Sequence, residues 1–169
     1  MATRWLPFEL HPETPLEGAP KPFTDAQWPA IEHRLRTLAQ QVGVPIEPPR
    51  RNANSRLALE TGELVRARAG DASSAAFHHA VSRAFFVDGA DIADPMVIAQ
   101  HTAPFTISEA EIRAAWASHA YAGAIDASMR SARDAGVTGV PSFGRPGSHA
   151  ISGMMEPQRI VALLQHDRP

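Results

Sequence analysis

Eight consecutive residues, Gly136-Val137-Thr138-Gly139-Val140-Pro141-Ser142-Phe143, constrain this chain more than any other stretch. They read as a short buried strand entered through a glycine helix stop, with Val137, Val140 and Phe143 turned to a core. Gly139 would let another backbone come close. Pro141 is the awkward member, because proline has no N–H to give a ladder and belongs at a strand's start or edge. Taken alone, Val140-Pro141 reads as a trans bond at the first residue of a strand, the usual state of X-Pro in folded proteins.

The residues that follow narrow the reading. Gly144-Arg145-Pro146-Gly147-Ser148 is a turn cluster, and His149-Ala150-Ile151-Ser152 is a second short run broken by Gly153. Glu156-Pro157 opens a helix in which Ile160, Val161, Leu163 and Leu164 are expected on one face. The unit is helix, proline strand, hairpin and terminal helix. It resembles the C-terminal half of a thioredoxin fold. More narrowly, GVTGVPSF followed by ISGMMEPQRI resembles the DsbA family in its FrnE-like branch. The resemblance implies a cis bond at Val140-Pro141, with the residue before the proline offering its backbone to an extended substrate.

Composition sets a contradiction against that resemblance. The 169 residues include no cysteine, which excludes structural disulfides, thiolate metal sites and a cysteine nucleophile. The length suits one domain, or one domain with an insertion. A net charge of −2 gives no reason to expect nucleic acid or an anionic membrane surface as partner. No apolar run reaches membrane-spanning length and no signal peptide is visible, so a cytoplasmic protein is expected.

Arg4 to Leu10 alternates loosely, with Leu6, Phe8 and Leu10 on one side and Trp5, Pro7 and Glu9 on the other. It reads as an edge strand, since it contains a proline. His11 to Pro22 is a proline-rich connector. Thr24-Asp25-Ala26-Gln27 is a capping box with Phe23 and Trp28 as its staple, and Ile31, Leu35, Leu38 and Val42 recur at helical spacing. A second connector, Val44 to Arg51, precedes Asn54, a good N-cap for a helix over 55–69 that Gly70 ends. Ser74 to Val87 puts Phe77, Val81, Ala84 and Phe85 on one stripe. Asp94-Pro95 caps a short helix, Ser108 to Glu111 is a further capping box, and 122–135 is the last helix before Gly136.

Almost everything between the first strand and the proline strand is therefore helical. The texts W-x-PF-x-L-x-P (Trp5, Phe8, Leu10, Pro12), R-x-x-N-S-R-x-AL, FH-x-A-x-x-RAFF and GV-x-GVP stand in the order of the FrnE-like family, from Arg4 to the end. The resemblance implies an α/β, thioredoxin-like fold with a large helical insertion. Residues 1–23 and 136–169 would form the sheet and terminal helix, and 24–135 the inserted helical subdomain. In that family a strand, a Cys-x-x-Cys turn and a helix come first, so the N-terminal strand-helix unit is expected to be missing from these residues. Thr138, Val140 and Pro141 match the family's substrate-facing loop, and Asn54 with Ser55 matches a helix start overlooking the same groove. These five are the expected binding residues. No catalytic residue and no cofactor is expected.

Other chemistry finds little support. His78-His79 are adjacent and so diverge on a helix, with no second ligand one turn away. No Gly-x-Ser-x-Gly elbow, dinucleotide fingerprint or phosphate loop is present. The expected function is a DsbA-like protein resembling thiol-disulfide oxidoreductases, inactive or truncated because it has no redox cysteines, keeping a loop for a peptide or low-molecular-weight thiol. Two alternatives stand beside it: a relative of 2-hydroxychromene-2-carboxylate isomerases and kappa-type glutathione transferases, and a non-enzymatic dimeric interaction module. A homo-oligomer is expected, because strand edges that lack a neighbour recruit one.

Overall fold

A computed structural model of the chain describes residues 4–165; positions 1–3 and 166–169, the outer ends of the expected sheet region, lie outside the described residues. Contacts divide it into two compact units. The first holds Met1–Trp5 and His11–Tyr121, the second Leu6–Leu10 and Ala122–Pro169.

In the first unit the two proline-rich connectors zip together. β1 (Ala19–Pro20) pairs antiparallel with β2 (Arg51–Asn52), with Ala19 opposite Asn52. Arg51 donates to the carbonyls of Glu17 and Gly18, and Asn54 Nδ2 donates to Thr14 O at 2.6 Å. The capping-box bonds form at Thr24, but α1 (Trp28–Gln41) begins one turn later. Pro29 therefore falls in the first turn, where its missing N–H costs nothing. Phe23 stays exposed, and the buried Trp28 ring is covered by Arg50 instead, 5.2 Å from its centroid. Val42, expected on the buried stripe, is 71% exposed because the helix has ended before it.

α2 (Arg56–Phe86) is two helices joined at Gly70, whose φ of 85° and ψ of 176° are open only to glycine. The second half packs back on the first: Ser74 Oγ donates to Gly62 O at 3.0 Å, and the His78 ring lies over Gly62. α3 (Pro95–Gln100) starts under the Asp94 cap, and α4 (Glu109–Ala117) under the Ser108–Glu111 box. Ala58, Leu64, Val65, Phe77, Val81 and Ile98 centre the core. Its buried Glu60, Thr61 and Glu63 are paired. Trp116 Nε1 donates to Thr61 Oγ1, which donates to Leu57 O; Glu60 meets Arg56 at 2.8 Å; Arg66 bridges Glu63 and Asp71.

The helix pair makes a prediction whose sign can be reversed. A Cβ on Gly62 would lie 2.5 Å from the His78 ring, too close for any real contact. Gly62→Ala should cost about 1–3 kcal/mol by overpacking. In a His78→Ala background the same change should stabilise by up to about 1 kcal/mol, since alanine is the better helix former. Urea titration of the four proteins in the cycle measures both. The same sign in both backgrounds would refute the packing account.

The second unit contains α5 (Ala122–Asp134), a hairpin of β3 (Ser142–Phe143) and β4 (Ile151–Ser152), and α6 (Pro157–Gln165). Two corrections arise here. Residues 4–10 form no strand. Ser128 Oγ donates to Pro7 O, and Glu9 N–H donates to the Met129 sulfur, so α5 side chains hold this backbone where a ladder was expected. The alternation survives with Pro7 and Glu9 buried, while Leu6 and Leu10 are exposed. The proline strand is also shorter than its sequence suggests: only Ser142 and Phe143 join a ladder, and Val140 is 52% exposed. On α6, Ile160, Leu163 and Leu164 share the inward face and Val161 falls outside it. Among the described residues no helix is long and apolar enough to cross a membrane.

Candidate functional site

The proline loop is built outward from the end of α5. Gly136 takes φ 75°, its N–H donates to Arg133 O and the Val137 N–H to Ala132 O, both at 2.9 Å. That pair of bonds is a Schellman stop, and glycine supplies the left-handed residue it needs. Ala150 N–H donates to Ala135 O, fixing the start of the second hairpin arm to the same helix end. The reversal between the arms is closed by Ser148, which accepts from Arg145 N–H and donates back to Arg145 O.

Within this frame the Val140-Pro141 bond is cis. Pro141 O accepts from Gly153 N–H at 2.8 Å, Ser142 Oγ donates to Gly139 O, and the Ser142 and Ser152 hydroxyls lie 2.7 Å apart. Ser142 faces Ser152 and Phe143 faces Ile151 across the ladder. The carbonyls on either side of Val140 are thus engaged. Val140 itself differs: among the described residues no hydrogen bond uses its N–H or its C=O. Thr138 and Pro141 are exposed beside it.

The other two expected binding residues belong to the first unit. Asn54 uses both ends of its amide locally, Nδ2 on Thr14 O and Oδ1 accepting from Arg56 N–H at 3.0 Å. Ser55 is the N-cap of α2, without a side-chain cap bond. Sequence reading passed over Ser152 and Gly153, which hold the loop from β4. The available signal was a glycine directly after a short apolar run, a common sign of close backbone contact.

The chemistry open to the loop is limited. Residues 136–143 carry no ionisable side chain, and Ser142 is engaged in the hairpin. His78 is pushed down to about 4, by burial first and by the nearby Arg66 and His79 second. It packs in the helix pair of the first unit. Among the described residues no cluster of three histidines or carboxylates could hold a metal ion. The loop presents the backbone N–H and C=O of Val140, with the exposed apolar surfaces of Val140 and Pro141 beside them.

Known proteins supply the comparison. The model of the DSBA-like thioredoxin domain matches residues 1–165. Among solved structures, a probable DsbA oxidoreductase from Streptomyces coelicolor superposes with a TM-score of 0.80 at 21% identity, over 96% of this chain and 75% of that one. A candidate protein disulfide isomerase from Nitrosomonas europaea gives 0.67 at 17% identity, over 89% and 80%. No curated protein sequence matches. The fold is thus thioredoxin-like and dominated by helices, as the proline loop and the helical block led us to expect. The chain belongs to the DSBA-like thioredoxin domain family.

Proposed function

We propose that this is a FrnE-type, DsbA-like protein that binds an extended peptide or a low-molecular-weight thiol along the proline loop, and that no group among these 169 residues carries out disulfide exchange. The observation that carries the reading is Val140. It is 52% exposed, and its N–H and C=O pair with nothing among the described residues, whereas its neighbours' carbonyls are held by Ser142 and Gly153. A free donor and acceptor on one residue of a fixed loop are what an extended segment pairs with, main-chain bonds giving affinity and side-chain contacts selectivity. The absence of cysteine removes thiol transfer from the same site.

A soluble peptide of alternating threonine and valine, with lysine at its ends, tests this by amide NMR on the labelled protein. The Val140 amide should shift on titration. Replacing the ligand's pairing amide with an ester should weaken binding by roughly tenfold, the loss of one good hydrogen bond. Glutathione in a parallel titration distinguishes a small-thiol ligand from a peptide. A Val140 amide untouched by both ligands would end the proposal.

A further inference from the structure

An open groove of about 350 Å³ lies in the second unit between the β3–β4 hairpin and α6. Arg145, Ile151, Met155, Arg159, Ala162 and Leu163 line it, and Thr138, Val140 and Pro141 do not. Four of the six residues are apolar, two are arginines, and none is acidic. Arg159, Ala162 and Leu163 share one side of α6 through three- and four-residue spacing. Ile151 comes from β4, directly opposite Phe143, and is 39% exposed. Among the described residues no carboxylate pairs with the Arg159 guanidinium.

We propose that this groove binds a medium-chain alkyl carboxylate. The tail would cover Ile151, Met155, Ala162 and Leu163 and remove their apolar surface from water. Met155 suits a flexible chain, because an unbranched thioether adapts to an irregular neighbour. The headgroup would meet Arg159, whose planar fork accepts a carboxylate through two parallel hydrogen bonds. The Arg159 charge, with no carboxylate paired to it among the described residues, favours an anion over a neutral or cationic amphiphile. A tail of about ten carbons suits a groove at the small end of the range for ligand pockets.

Calorimetric titration of the full chain with sodium decanoate, kept below micelle formation, tests this. Saturable binding is expected, roughly tenfold or more tighter than decanol or decyltrimethylammonium. Arg159→Glu should weaken decanoate by a similar factor and leave the circular dichroism spectrum unchanged. Met155→Trp, which fills the groove, should remove binding; Ala162→Leu replaces it if that variant fails to fold. Equal affinity for decanol, an undiminished response in Arg159→Glu, or no saturation at all would overturn the assignment. Binding that appears only after deletion of 166–169 would also overturn it, by giving the groove to the chain's own tail.

Discussion

Insulin reduction and dithiol oxidation by the purified chain are expected to stay at the no-protein rate from acid to alkaline pH. Disulfide exchange begins with thiolate attack on a disulfide sulfur and passes through a mixed disulfide. The sequence has no cysteine to make that bond. Its five methionines do not substitute, since a thioether sulfur has no proton to lose and reaches only the sulfoxide on oxidation. Ser142 lies next to the cis proline, but its hydroxyl is held by Gly139 O and Ser152, and an oxygen nucleophile forms no mixed disulfide. A thiol-reactive dye should label nothing in the denatured chain, which guards against a contaminating oxidoreductase. Turnover that tracks the purified protein while the dye count stays at zero would refute this account.

What could be read in the sequence was what short-range chemistry decides. The Asp94 cap, the Ser108–Glu111 box and the glycine stop at Gly136 each depend on residues within one turn, and each forms. The stripe of Phe77, Val81 and Ala84 is buried for the same reason, since helical spacing alone puts it on one face. Strands were harder to place. The alternation is real over residues 6–10, but which side faces inward is set by the partner, and here α5 holds Pro7 and Glu9 through Ser128 and Met129. Val140 was expected in a core for a similar reason. Its exposure follows from a hairpin that begins only at Ser142 and from Gly153 engaging Pro141, a pairing between residues twelve apart. The candidate loop could therefore be located from sequence. Its open backbone groups could not, because they are what long-range pairing leaves over.

Acid should unfold the first unit earlier than its carboxylates alone require, and His78 is the reason. In the folded chain this imidazole lies against Gly62 and beside Phe77, with Arg66 and His79 near enough to oppose a second positive charge. Burial and those charges push it from the usual 6.5 down to about 4. Above pH 6.5 the ring is neutral folded or unfolded, and contributes no pH dependence. Between 6.5 and 4 the unfolded chain takes up a proton that the folded chain refuses, so stability falls as pH falls. The loss is about 2 kcal/mol by pH 5 and approaches about 3 kcal/mol near pH 4, a large part of a typical domain's stability. Urea titration at pH 7 and pH 5 measures it, with His78→Gln as the comparison. The variant keeps a polar side chain but cannot titrate, so its stability should change less between the two conditions by about the same 2 kcal/mol. Every other titratable group is common to the two proteins, so its contribution cancels in the difference. Equal pH dependence in the two proteins would show that His78 takes its proton without disturbing the helix pair.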